Sequence, residues 1–262
     1  VKDAGQVILV RCKNVTVENI NLSNTNVGVE LWETNNTKIA NNKIANNGHD
    51  GVYLYKSSNN SITGNDITNN WRYGIYLDSS SNNSIAGNNI TNKVIGICLS
   101  YSSNNRITGN NITNQKWPFI GSGIYLGSSS NNSIFHNNFI DNTRQIESEY
   151  SMNTWDDGYP SGGNYWSDYD GADLDGDSIG DTPYTIDESN QDNYPLMNPY
   201  ALLGDLNNDG AVNVLDIAIF GKAYGSYPGH PRWNPDVDLD GNGIINILDV
   251  VKVAKNFGKT ES

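Results

Sequence analysis

Donors for soft metals are scarce in this sequence of 262 residues, which holds two cysteines, two methionines and three histidines, all dispersed. Copper favours those side chains in convergent groups, so their scatter argues against a copper site. Cys12 and Cys98 lie four repeats apart in the pattern described below, and stacked repeats would keep them from bridging. No apolar run approaches the length of a membrane-spanning helix, and no secretory leader is recognisable; the chain opens in mid-pattern at Val1, as a mature or trimmed product would. Positive charge is short as well. Sixteen Lys and Arg stand against 29 Asp and Glu, and the net charge of −13 disfavours nucleic acid and favours cations as partners. The deficit is local. Residues 1–150 sum to +1 and residues 201–262 to −3, while residues 151–200 carry 11 acids and no Lys or Arg.

What the sequence has in abundance is asparagine, arranged in a repeat. The stretch SSNNSITGNDITNN begins at Ser57, and close copies begin at Ser80, Ser102 and Ser129, 22 to 27 residues apart. Aligned copies give an apolar column of Val17, Ile39, Ile62, Ile85, Ile107 and Ile134, and a second of Leu22, Ile44, Ile67, Ile90, Ile112 and Phe139. Two residues before the second column runs an asparagine column of Asn42, Asn65, Asn88, Asn110 and Asn137. A third segment reads GVEL, GVYL, GIYL, GICL and GIYL from Gly28, Gly51, Gly74, Gly96 and Gly123. Each repeat therefore predicts three short strands with apolar residues alternating inward. One such unit cannot bury its own face, so the units must stack. The expected fold is mainly β, a parallel β-helix over residues 1–150 with coils about 4.8 Å apart. Asparagine suits it twice over: it tolerates left-handed backbone at tight corners, and its amide can bond the coils above and below.

On these motifs, residues 5–150 resemble the right-handed β-helix family of NosD-like proteins and carbohydrate-associated repeats. The resemblance implies the fold more than an activity, since one scaffold hosts many functions. Eight sequons, at Asn14, Asn21, Asn35, Asn59, Asn82, Asn89, Asn111 and Asn131, would suit a secreted, glycosylated surface. In so asparagine-rich a repeat, some also arise by chance.

Residues 151–200 mix acid with Trp155, Tyr159, Tyr165, Trp166, Tyr169, Tyr184 and Tyr194. Aromatics on this scale argue against disorder, and the charge calls for a counter-ion. Asp173, Asp175, Asp177 and Asp181 occupy relative positions 1, 3, 5 and 9, with the Ile179 carbonyl at 7, the alternation that converges oxygens on calcium. The stretch also resembles the C-terminal signature of surface-exposed NosD-like proteins, with Ser178 where that family has glycine. The segment is expected to form a calcium-bound cap.

DLNNDGAVNVLD and DLDGNGIINILD are two 12-residue calcium loops. The first offers Asp205, Asn207, Asp209, the Ala211 carbonyl, Asn213 and Asp216. The second offers Asp238, Asp240, Asn242, the Ile244 carbonyl, Asn246 and Asp249. Each runs into an apolar-periodic segment, 214–224 and 247–257, that predicts a helix. Residues 201–262 thus resemble dockerin type I modules, particularly those of archaeal surface proteins. The resemblance implies a cohesin-like partner contacted through Val214, Leu215, Ile247 and Leu248. Docking of this module onto its own β-helix is the competing expectation.

Two columns bear on function. The outward positions of the third strand are Glu30, Tyr53, Tyr76, Cys98 and Tyr125, and Trp32 and Tyr55 lie alongside. Such a column reads equally as a platform for sugar rings or a protein partner, or as tyrosines stacking on themselves in exposed strands. The insertion Trp117-Pro118-Phe119 is read as a corner, or as a rim to that platform. Catalytic β-helices need clustered carboxylates or calcium with a basic residue along one face. Here only His49 and Asp50 offer themselves, and the sequence places no arginine pair beside them. The sequence therefore reads as a non-enzymatic, calcium-stabilised protein of an archaeal cell surface or its exterior, working by binding or assembly. A polysaccharide lyase or glycoside hydrolase is the alternative. Because the apolar run VILV follows Val1 closely while residues 141–200 cover the other end, head-to-tail assembly into a filament is a further expectation.

Overall fold

The computed structural model of the protein describes residues 3–118, 120–200, 204–206, 212–239 and 242–258. The chain forms two compact units, Val1–Tyr200 and Ala201–Ser262.

In the first unit the chain winds as a parallel β-helix. Its short strands stack coil upon coil into three parallel sheets of eight, seven and six strands. Register follows the columns of the sequence. Ile67 pairs with Ile44 below and Ile90 above, and Tyr76 pairs with Tyr53 and Cys98. Inward residues of all three sheets, such as Leu22, Ile39, Ile62, Ile75, Leu77 and Ile124, are completely buried in one continuous core. Glycine recurs at the third strand because the coils close up there. A Cβ on Gly74 would sit 2.5 Å from the Gly96 carbonyl oxygen and 2.5 Å from Asn92 Nδ2.

The asparagines divide into two populations. One occupies exposed corners with left-handed backbone, among them Asn46 (φ 58°), Asn69 (φ 55°) and Asn114 (φ 58°), where a side chain that bonds locally tolerates positive φ. The other is buried and forms ladders. Starting from Asn42, the residues Asn65, Asn88, Asn110, Asn137 and Asn164 each offer Oδ1 to the backbone N–H and the Nδ2 of the asparagine one coil before. A second ladder runs through Asn60, Asn83, Asn105, Asn132, Asn153 and Asn190. A third runs through Asn47, Asn70, Asn92, Gln115 and Asn142. Ser57, Ser80, Ser102, Ser129 and Ser151 make a hydroxyl counterpart. Buried corner N–H groups need acceptors, and the ladders supply one per coil.

Residues 151–200 close the end of this solenoid. Phe139, Trp166 and Tyr184 stack nearly parallel, with centroids 4.5 and 4.2 Å apart, and Trp155 packs beside Trp166. The three amide ladders each end here on a carboxylate. Asp192 accepts from the Asn164 N–H and from Trp166 Nε1, at 2.7 and 2.9 Å. Asp187 accepts from Asn190 Nδ2 at 2.8 Å. Asn142 donates to Gln145, which donates to Asp168 at 3.1 Å. The sequence-based demand for a counter-ion across the whole acidic segment was therefore too broad, because these three acids are acceptors for the ladders.

The second unit is small. Helices Val214–Ala223 and Ile247–Asn256 pack with the 3-10 turn Pro235–Val237 around Val212, Phe220, Ala223, Val237, Ile245 and Val253. Both helices start alike. Asn213 and Asn246 cap the first turns, and Asp216 and Asp249 reach back to the cap backbone, a reciprocal capping box.

Candidate calcium loops and the aromatic face

In the Asp173–Asp181 loop, Asp173, Asp175 and Asp177 hold carboxylate oxygens within 4.8 Å of one another, the one group of three metal-ligating side chains among the described residues. Asp173 accepts from the Gly176 and Ser178 N–H groups at 2.7 and 2.9 Å, which curls the chain round it. Asp181 accepts from the Leu174 N–H at 2.6 Å and joins the loop's start to its end. Ser178, at the expected sharp turn, takes φ 73°, the left-handed conformation that glycine adopts without strain.

Of the two helical-unit loops, Asn207, Asp209, Ala211 and Asp240 lie outside the described residues. The remaining positions fit calcium chemistry. Asp216 and Asp249, at position 12 of each loop, are fully buried. At position 1 of the second loop, Asp238 accepts from the Gly243 N–H through Oδ2, while its buried Oδ1 has no hydrogen-bond partner among the described residues. A buried carboxylate oxygen without a donor is costly unless a cation answers it. Asn242 and Asn246 already turn the chain, accepting from the Ile244 and Leu248 N–H groups at 2.8 Å. Just beyond, Val214, Leu215, Ile247 and Leu248 occupy equivalent first-turn positions of the two helices, and all four are between 55% and 68% exposed.

On the seven-stranded sheet, aromatic rings touch in series. Tyr73 meets Tyr76 at 5.0 Å, Tyr76 stacks on Tyr53 at 5.2 Å, and Trp32 lies 5.6 Å from Tyr53 and 5.1 Å from Tyr55. Tyr73 is an addition to the expected column. Cys98 departs from it: this outward position is only 3% exposed, packed with Val94 and Ile95 under Tyr73, Tyr76 and Tyr125. Tyr125 stands apart, its hydroxyl donating to Glu149 at 2.9 Å. Burial pushes the Tyr53 and Tyr73 phenols up to about 12, so both stay neutral near pH 7. Glu30 is engaged on both oxygens, by Gln6 at 2.6 Å and by Trp32 Nε1 at 2.9 Å.

His49 and Asp50 gain one basic neighbour through the coil register, a single arginine and not a pair. His49 Nδ1 lies 3.0 Å from Asp50 Oδ2, and Arg72, from the next coil, brings its guanidinium to 3.3 Å from His49 Nε2. Asp50 is buried and its carboxyl is raised, by desolvation first, against the lowering pull of His49. Only the coil register brings Arg72 here. The eight sequon asparagines all lie at the surface, with Asn21 and Asn35 partly covered and the other six exposed.

Residues 1–171 match the family described as periplasmic copper-binding protein (NosD), and residues 203–258 match the dockerin type I domain. No curated protein matches the chain. Among solved structures, a point mutant of the periplasmic alginate epimerase AlgG is similar at 23% identity with a TM-score of 0.50, over 54% of this chain and 35% of the epimerase. The alginate lyase from Paenibacillus sp. str. FPU-7 is similar at 14% identity with a TM-score of 0.29, over 58% of this chain and 71% of the lyase. The chain thus spans about a third of the epimerase's length, 35%, and the likeness concerns the fold alone. Copper finds no fitting donor set among the described residues: the Cys98 thiol is buried and pushed up to about 12, and no group of three donors includes a histidine or cysteine. No helix is long and apolar enough to cross a membrane.

Proposed function

The chain belongs to the NosD family, and from that premise we propose a non-enzymatic, calcium-stabilised protein of an archaeal cell surface that works by binding or assembly, with its dockerin type I module as connector. The observation that carries this reading is the exposed quartet Val214, Leu215, Ile247 and Leu248. Apolar residues fixed at matching places on two helices form a patch that a partner would bury. A cohesin-like protein is the expected occupant. Calcium sits in the reading as the ion of the two loops ending at Asp216 and Asp249, and of the Asp173–Asp181 loop. Titration of the calcium-loaded protein with a cohesin domain tests the connector. Leu215→Asp with Leu248→Asp should weaken binding at least tenfold, and unchanged binding rejects it. Filament formation is the extended form of the same reading, and a calcium-loaded protein that stays monomeric by light scattering at high concentration removes it. The touching rings of Trp32, Tyr53, Tyr55 and Tyr76 are read as a ligand face, with Tyr125 at its margin.

A second reading has one observation in its favour. His49, held by the Asp50 carboxylate and approached by Arg72, combines a proton-transfer group with a cation in a β-helix surface, a pairing that suits a polysaccharide lyase. A glycoside hydrolase would need a second carboxylate beside Asp50. Product detection on a panel of polysaccharides, with His49→Ala as control, separates the two. Turnover that His49→Ala abolishes would replace the binding reading with this one.

A further inference from the structure

Along one corner of the solenoid, between the eight-stranded and seven-stranded sheets, consecutive coils carry a row of basic residues. His49, Arg72, Lys93 and Lys116 follow one another there, tied coil to coil by backbone bonds such as Arg72 N–H to His49 O and Lys93 N–H to Asn70 O. The acid among these corner residues is Asp50, which is buried beneath His49. Asp66 and Asp78 lie on the flanking strands of these coils, so the excess of basic side chains belongs to the corner itself. Neither Lys93 nor Lys116 lies within ion-pair distance of a carboxylate among the described residues.

The same corner exposes two tryptophans. Trp71 and Trp117 are 48% and 39% exposed, while Trp155 and Trp166 are buried. Their ring centroids lie 5.8 Å apart with planes inclined at 58°, so each covers part of the other and leaves an open face. A cleft of about 370 Å³ lies beside them, lined by Asn46, Asn47, Gly48, Asn69, Trp71 and Lys93. Corner asparagines on its wall supply amides, Lys93 supplies charge, and Trp71 supplies a flat apolar surface. Arg72 is held ready, its guanidinium 4.5 Å above the Tyr73 ring and bonded to His49.

We propose that this corner, centred on Trp71, Lys93 and Trp117 with Arg72 at its edge, is a binding subsite for a strand of acidic polysaccharide. Ring faces of the glycan stack on the two tryptophans, and its carboxylates meet Lys93 and Arg72. The direction of the strand follows the row, because basic residues recur once per coil at a spacing of about 4.8 Å. This rests on the binding reading above and gives it a ligand class, at a place distinct from the tyrosine column. Nucleic acid would offer the same stacking and negative charge, but it would also carry a dense phosphate charge against an acidic protein.

The test uses the full-length, calcium-loaded protein with polygalacturonate, its carboxyl-reduced neutral counterpart and a single-stranded oligothymidylate, in affinity electrophoresis and by tryptophan fluorescence. Polygalacturonate should bind at least tenfold more tightly than the neutral chain and weaken as salt is raised. Trp71→Ala and Lys93→Gln should each cost at least fivefold, while Tyr150→Ala, at an exposed ring outside both this corner and the tyrosine column, leaves binding within twofold. Equal binding of the acidic and neutral chains overturns the proposal, as does tighter binding of the oligothymidylate, or loss with Tyr76→Ala but not Trp71→Ala. If the glycan fails while the cohesin titration succeeds, this subsite falls and the connector reading stands.

Discussion

The solenoid and the helical unit keep polar groups satisfied in opposite ways. Within the β-helix most of the buried ladder amides find partners in the adjacent coil, Asn153 Nδ2 being an exception, so the structure answers most of its hydrogen-bonding needs by repetition. In the helical unit a buried carboxylate oxygen of Asp238 has no partner among the described residues, and six buried apolar residues among them make up the core. A repeat array can be stabilised by nearest-neighbour contacts alone, whereas a domain this small usually needs a staple. One region meets most of its needs by repetition, and the other leaves a carboxylate oxygen open.

The largest effect expected from this contrast is chelation. An ion that binds only the folded state stabilises it by about 3 kcal/mol at a hundredfold excess over Kd. Calcium removal should therefore melt the helices Val214–Ala223 and Ile247–Asn256 while the β signal of the solenoid persists. Calorimetry and circular dichroism with and without chelator check this, and two transitions that move together would break the comparison.

Next in size is a break in a ladder. Asn88→Ala removes the acceptor of the Asn65 N–H and Nδ2, and the donor to the carbonyls of Ile62 and Ala86. With roughly 1–3 kcal/mol for each buried group left unpaired, a loss of about 3 kcal/mol or more is expected in urea unfolding. The exposed corner substitution Asn82→Gly should cost little by the same measurement.

The pH dependence of the cap is third. Burial raises the Asp192 carboxyl from 3.8 to about 6, partly offset by the donors from Asn164 and Trp166. With the folded-state pKa the higher one, this group's contribution is fully present below about pH 4 and is lost as pH rises through about 6. Two units correspond to roughly 3 kcal/mol at most, so Asp192→Asn should flatten the solenoid's melting temperature between pH 4 and 6. An unchanged slope would assign that dependence elsewhere. Smallest of all, Arg11→Ala, which breaks the exposed ion pair with Glu33, should leave melting unchanged.

Much of the solenoid was legible because stacking demands the same residue type at the same place in each coil. Ile39, Ile62 and Ile85 announce one another at a fixed interval, and so do Gly51, Gly74 and Gly96. The two helices were legible to within a residue of their ends because Asn213 and Asn246 begin them with the same capping pattern. That residues 151–200 cap the coils was legible, but how they do so was not. Asp192 lies 28 residues beyond Asn164, in a segment without a period, and nothing local marks it as the end of a ladder. The second and third ladders were hidden in plain repetition, since Asn59 and Asn60 look alike in sequence while one points outward and its neighbour is buried. Cys98 was misplaced for the opposite reason: its column faces out, but the larger rings of the coils beside it close over the small thiol. Arg72 and Trp71 gained meaning only once the register set them beside His49 and within reach of Trp117.

The ladders also have a sense of direction. In the first ladder, from Asn42 to Asn137, each amide nitrogen donates to the next coil's Oδ1 and each oxygen faces the previous coil, so the small dipoles of these asparagines add along the solenoid axis instead of cancelling. A column of aligned amides is then a weak electric pole at each end, positive where the last N–H groups emerge, much as the start of an α-helix is positive. Asp192 stands at that positive pole. Its negative charge is the field's natural terminus, and part of the acidity concentrated in residues 151–200 belongs to the polarity of the coils beneath it.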